Sequence, residues 1–196
     1  RVEELQLLCD GYHARALFAL PNLTRLQVLR VVGIGPVSLS ADPAVPLDAV
    51  ARNPALGCLT HLLVHPDARL RGHGPLPLSQ VRELLATRHL PSLTHLQLRH
   101  SDMGDDGIDA LIGSPLLRRL EWVDLRNGAV TDAGARALST CALAKNLRRL
   151  DLSRNRVTAR GLSLLRKAGV NAVANTALTR REQALIDDAA README

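Results

Sequence analysis

The chain has 196 residues, 46% of them hydrophobic but only 2% aromatic, and 25 basic residues stand against 21 acidic ones for a formal charge of +4. It is long enough for one sizeable core, which aliphatic side chains must pack. No apolar run reaches the roughly 18 residues of a membrane span, no charged-then-apolar leader opens the chain, and Cys9, Cys58 and Cys141 form neither a disulfide framework nor a C-x-x-C zinc pair, which points to reduced thiols in a cytoplasm.

In chain order, Val2 to Asp10 reads as a first strand, with Val2, Leu5 and Leu7 on one side. A short helix follows over Tyr12 to Leu20, stopped by Pro21. Leu23, Leu26 and Val28 repeat the strand spacing and predict a second strand. Gly33 to Pro46 is irregular and interrupted by proline, and a short helix covers Leu47 to Arg52. Leu59, Leu62 and Val64 mark a third strand. After the Gly- and Pro-containing loop from Asp67 to Leu78, the spacing of Val81, Leu84 and Leu85 predicts a helix over Ser79 to His89.

From Leu93 to Gly169 the units become compact. Strands are expected at Leu93, Leu96 and Leu98, at Leu120, Val123 and Leu125, and at Leu147, Leu150 and Leu152. Behind them a second motif recurs: Met103-Gly104-Asp105-Asp106-Gly107, Val130-Thr131-Asp132-Ala133-Gly134 and Val157-Thr158-Ala159-Arg160-Gly161, each Gly read as opening an amphipathic helix. Strand and helix alternate, and one unit alone cannot bury its apolar side. Residues 1–169 are thus expected to form an array of about six repeats. In residues 170–196, Val170 to Ala174 reads as an edge strand. Thr179-x-x-Glu182 reads as a capping box starting a helix in which Leu178, Leu185, Ile186 and Ala189 share a face and cover the end of the stack. Arg1 falls inside a repeat-like phase, so the chain is expected to be a fragment of a longer protein.

The stretch Leu147-Arg148-Arg149-Leu150-Asp151-Leu152-Ser153-Arg154-Asn155, read with the Val-Thr-Asp-Ala-Gly helix start, resembles the ribonuclease-inhibitor-like class of leucine-rich repeats, in the variety found as short tandem arrays in bacterial proteins. The chain departs from that pattern at the Asn position, which holds Asp10, Val31, Asp67, Ser101 and Gly128 before Asn155. The resemblance implies an α/β solenoid, a horseshoe with a concave parallel sheet, outer helices and a C-terminal capping helix. It implies protein binding rather than catalysis, and no cofactor; no functional residue is transferred with it.

Side chains between the buried leucines form rows across the sheet. The expected rows run Glu4, Arg25, His61, His95, Trp122, Arg149; then Gln6, Gln27, Leu63, Gln97, Asp124, Asp151; then Leu8, Leu29, His65, Arg99, Arg126, Ser153. Arg25, His61, His95, Gln97, Arg99, Trp122, Asp124, Arg126, Arg149 and Asp151 are the candidate partner-binding residues, with Trp122, the single Trp, as anchor. Surface packing of Trp122 on Arg149 or His95 is the plainer alternative. The arginines suit a protein partner with an acidic surface, or form a lattice with Asp124 and Asp151. Nucleic acid is disfavoured by the scarcity of aromatics and lysine. His61 and His95 stand close enough to share a metal, but no carboxylate or thiol completes a ligand set. Asp124 and Asp151 beside arginines should be ionised and paired rather than catalytic. Gly33-Ile34-Gly35 and Gly72-His73-Gly74 read as turns. The expected function is a non-enzymatic protein-interaction module in the cytoplasm, or the recognition arm of a larger bacterial enzyme or signalling protein.

Overall fold

The computed structural model describes residues 2–9, 12–33, 45–66 and 75–175. Among them, seven strands alternate with six α-helices: β1 (Glu4–Cys9), α1 (Tyr12–Phe18), β2 (Val28–Gly33), α2 (Leu47–Arg52), β3 (His61–Pro66), α3 (Leu78–Ala86), β4 (His95–Leu98), α4 (Gly104–Ile112), β5 (Trp122–Asp124), α5 (Asp132–Thr140), β6 (Arg149–Asp151), α6 (Ala159–Lys167) and β7 (Ala172–Val173). All strands are parallel in one open sheet whose spatial order is the chain order. Parallel neighbours require a crossover, and each crossover here carries a helix that lies beside the helix of the next repeat. The expected edge strand is β7; the capping helix expected over Thr179 to Ala189 lies outside the described residues, as do the two Gly-x-Gly turns beyond Gly33.

The core lies between sheet and helices. Leu29, Val31, Leu62, Val64, Leu96, Leu98, Val123 and Leu150 from the sheet meet Val81, Leu84, Leu85, Ile108, Leu111, Ala135, Leu138 and Leu165 from the helices, and all are buried. Burying a Leu or Val side chain contributes about 1.5–3 kcal/mol. The alternation of apolar and polar residues therefore fixes which side of each strand faces the helices.

The second strand departs from the sequence expectation. Leu23-x-x-Leu26-x-Val28 predicts it in one frame, but Leu26, Leu29 and Val31 are the residues that are buried, while Leu23 and Val28 are half-buried. The strand pairs Glu4 with Val28 and Val28 with His61. Both frames satisfy the same spacing, and the later one wins because it completes a triplet of fully buried side chains. It moves Arg25 off the sheet into the turn before β2, where it pairs with Glu3 at 3.6 Å, both side chains more than half exposed.

Polar bonds between repeats hold the turns. Asn155 is buried; its Oδ1 accepts from the Gly128 and Val130 N–H groups at 2.9 and 3.0 Å, and its Nδ2 donates to the Leu125 and Leu152 carbonyls at 2.8 and 3.0 Å. One amide thereby satisfies four backbone groups belonging to two repeats. On the helix side, Asp105 accepts from the Thr131 N–H and hydroxyl and from the Gly134 N–H. Asp132 takes the Thr158 N–H and hydroxyl in the same way, and these bonds hold its carboxyl below the ordinary carboxylate range.

Gly134 and Gly161 do not open their helices but lie in the first turn of α5 and α6, which start at Asp132 and Ala159. A Cβ at Gly134 would come within 2.5 Å of Asp105 Oδ1, and one at Gly161 closer still to Asp132 Oδ1. The glycines are there to let a neighbouring carboxylate reach the helix N-terminus.

A third set of bonds lies at the opposite helix ends. Asn53 donates to the Phe18 and Leu20 carbonyls, Thr87 to Ala51 and Ser114 to Leu85. Each side chain also accepts from an N–H two residues onward, at Ala55, His89 and Leu116. Each repeat thus finishes the helix end of the one before it. Cys141 occupies the next position of this series, and a thiol is a weak donor there.

Replacing Asn155 with Ala leaves those four buried groups without a partner, at a cost of about 1–3 kcal/mol for each group that water cannot reach. Asn155→Ala is therefore expected to lower the unfolding free energy by about 3 kcal/mol in urea denaturation. A loss below about 0.5 kcal/mol, the size of an ordinary surface substitution, would contradict this account of the turn.

Candidate interaction surface on the open sheet face

The face of the sheet away from the helices carries two continuous rows. The first runs Glu4, Val28, His61, His95, Trp122, Arg149, and the second Gln6, Arg30, Leu63, Gln97, Asp124, Asp151. Arg99 and Arg126 lie just beyond β4 and β5.

In the first row, the His61 and His95 rings stack with centroids 4.0 Å apart and planes 19° from parallel, and His95 stacks on Trp122 at 6.2 Å and 29°. Each imidazole is held from below by the residue before it: Thr60 Oγ1 lies 2.8 Å from His61 Nδ1, and Thr94 Oγ1 2.9 Å from His95 Nδ1. Both Nδ1 atoms are thereby committed, and Nε2 is the nitrogen left to exchange a proton with solvent. Cofacial rings direct their lone pairs side by side rather than toward one point, so the pair is poorly shaped to chelate one metal ion. Among the described residues, no group of three or more His, Cys, Asp or Glu is placed to hold a metal. Partial burial, then His95 and Arg30, push the His61 pKa below the ordinary imidazole value, against a smaller opposing pull from Glu4.

The second row is organised by a buried carboxylate. Asp124 is fully buried and Asp151 nearly so. Arg99 Nε and Nη2 reach Asp124 Oδ2 at 2.8 and 2.7 Å, and Arg126 bonds both carboxylate oxygens through Nε and Nη2 at 2.7–3.1 Å. The Arg126 N–H adds a bond to Oδ1 at 3.1 Å. Asp151 accepts from the Ser153 N–H at 3.0 Å and lies 3.5 Å from Arg149 Nη2 and 3.8 Å from Arg126 Nε. Burial raises the Asp124 pKa to about 6; Arg99 and Arg149 pull it down and Asp151 pushes it up.

Of the ten residues expected to meet a partner, the structure brings His61, His95, Trp122, Arg149, Arg99 and Arg126 onto one face with part of each side chain accessible. Arg25 is elsewhere. Gln97, Asp124 and Asp151 belong to the face but are buried in it, with little surface of their own exposed. The physical reason is that the long arginine side chains fold over the carboxylates and bond them, which offsets part of the loss of water that burial imposes on Asp124. Arg30, bonded to Glu4 at 3.4 Å, enters the second row once the β2 frame is corrected. Thr60 and Thr94 were signalled by the repeated Thr-His-Leu of β3 and β4 but not assigned a role from sequence.

An open parallel sheet covered by helices on one face and bearing polar rows on the other defines a stacked-repeat solenoid. The fold is that of an α/β leucine-rich-repeat solenoid. A family model described as "Leucine Rich repeat" matches residues 89–111 and 144–165. A crystal structure of a Bacteroides fragilis protein is similar in fold, with a TM-score of 0.54 and 20% identity over 83% of this chain. The present chain spans 49% of the length of that one. No curated protein matches. Leucine-rich repeats generally mediate protein–protein interaction and typically do so without catalysis. Among the described residues, no helix is long and apolar enough to cross a membrane.

The position of Asp124 has a direct test. A carboxyl whose folded pKa stands near 6 binds a proton that the unfolded chain, with an ordinary value of about 4, has already released. The folded state therefore gains stability from this group as pH falls from about 6 toward 4, and acidification through that window does not loosen the array through Asp124. The Asp124 side-chain carboxyl resonance should titrate with a midpoint near 6 in carbon-detected NMR. A midpoint below 4 would show that Arg99 and Arg126 outweigh burial.

Proposed function

We propose that this protein is a non-enzymatic interaction module that holds a partner protein with an acidic surface against the open face of its sheet. The observation that carries the reading is the column His61–His95–Trp122, continued by Arg149, on a face left uncovered by the helices. Trp and Arg are the residues that most often dominate interface energetics, and the single Trp of the chain stands half-buried in the middle of this row. Arg30, Arg99, Arg126 and Arg149 supply the charge that selects an acidic partner. Nucleic acid fits less well, because an aromatic content of 2% leaves few platforms for stacking bases. The buried, arginine-bound state of Asp124 favours a structural carboxylate over a general base. A cytoplasmic location accords with the cysteine usage.

Trp122→Ala combined with Arg149→Glu should weaken binding of a co-purifying partner at least about tenfold, the loss of one hot-spot contact. Circular-dichroism melting should show the variant folded. Unchanged affinity in a folded variant would move the binding surface off this face.

A further inference from the structure

Resting on that reading of the sheet face, we infer that the His61–His95 pair makes the docking of an acidic partner segment proton-coupled: the pair takes up a proton as carboxylates arrive, and binding tightens on acidification. The geometry supplies each step. The two rings stack at 4.0 Å, and the Thr60 and Thr94 hydroxyls donate to the Gln27 and Thr60 carbonyls, so each Nδ1 donates to a threonine oxygen and Nε2 is the position at which either ring gains its proton. Once protonated, Nδ1–H donates to threonine and Nε2–H becomes a charged donor of the type that carboxylates accept most strongly. Rings this close cannot both take a proton readily in the free protein, since the second charge would sit about 4 Å from the first.

The groups around the pair reinforce this balance. Glu4 on β1 favours a charge on His61, while Arg30 on β2 and His95 on β4 oppose it. His65 lies on the same strand as His61, and Trp122 covers the other side of His95. Further along the face, Arg149, Arg99 and Arg126 add positive charge, and Asp124 and Asp151 offset it from beneath. Burial and the neighbouring His95 and Arg30 thus disfavour the charged form of His61 on the free face. A carboxylate within about 4–6 Å of either ring then raises that ring's pKa, and by linkage the affinity rises as pH falls through the imidazole range. Thermodynamic reciprocity requires the same coupling in both directions.

The test uses the full chain, with a ten-residue aspartate peptide as probe and Trp122 fluorescence as readout, since Trp122 is the single Trp and touches His95. Aspartate, with an ordinary pKa of about 4, stays ionised at both pH values compared. Binding at pH 5.5 should be roughly tenfold tighter than at pH 7.5, as one or two added charges at a surface contact imply. Calorimetry at pH 6.5 in two buffers of different ionisation enthalpy should show net proton uptake on binding, a measurement that needs no variant. His61→Gln with His95→Gln should bring the ratio of the affinities at pH 5.5 and pH 7.5 down to about twofold or less, a readout that does not depend on how much contact the variant loses at either pH. Equal affinity at both pH values, absence of proton uptake, or a pH dependence that survives the double substitution overturns the coupling but leaves the interaction surface in place. No peptide binding at pH 5.5, or tighter binding of a single-stranded oligonucleotide of equal charge, overturns the acidic-protein reading together with it.

Discussion

Neighbouring repeats in this chain are tied by side chains that complete each other's backbone. Where β5 turns toward α5, the freed groups of Leu125, Gly128 and Val130 are completed by Asn155 of the next repeat. The helix ends obey the same rule: Asp105 and Asp132 reach forward to Thr131 and Thr158, and Asn53, Thr87 and Ser114 reach back to Phe18, Ala51 and Leu85. Apolar burial brings the layers together, but these bonds fix the spacing between units, because an unsatisfied buried polar group costs as much as a lost methylene or more. The stack is therefore quasi-one-dimensional, each unit stabilised by its neighbours. The forward series closes at Ala159, which stands where Asp105 and Asp132 stand in the preceding repeats and has no carboxylate to offer.

That arrangement determines what the exposed sheet face can be. The polar partners of the turns and most of the large aliphatic side chains are committed to the helix side or to the seams, although Val28 and Leu63 lie in the rows of the open face. The Gln97–Asp124–Asp151 part of the second row is closed off as well, with Arg99 and Arg126 folded over Asp124. The side chains still able to meet another molecule are those of the first row and the outer edges of the guanidinium groups. A face with its carboxylates covered and its cations outward offers positive charge to its surroundings even though the underlying charges nearly cancel.

Much of this was legible in the sequence. The spacing of Leu93, Leu120 and Leu147 with their followers specifies strands β4, β5 and β6 and the register that sets His95 beside Trp122 and Trp122 beside Arg149. The β2 frame was not legible because Leu23, Leu26 and Leu29 satisfy two registers equally, and only the burial of Val31 against its neighbours separates them. Burial of Asp124 was not legible either. Period-two alternation puts an aspartate on the polar face, but whether that face is wet depends on where flexible arginines from adjacent repeats come to rest. The role of Gly134 and Gly161 was hidden for a related reason: the feature that demands glycine is a carboxylate one repeat earlier in the chain, Asp105 for Gly134 and Asp132 for Gly161.

The two halves of the face should then contribute to binding in different ways. The His61–His95–Trp122 column is held by stacking and by threonine bonds, so its rings lose little freedom when a partner arrives, and their contact area converts to affinity with a small entropic loss. Arg99 and Arg126 already have a carboxylate, and a partner must draw their donors away from Asp124 or share them. Such pre-paired charges add little net attraction but reject a partner of the wrong sign, because a cation set beside them has no carboxylate left to neutralise it. Affinity is thus assigned to the aromatic column and Arg149, and discrimination to the arginines over Asp124.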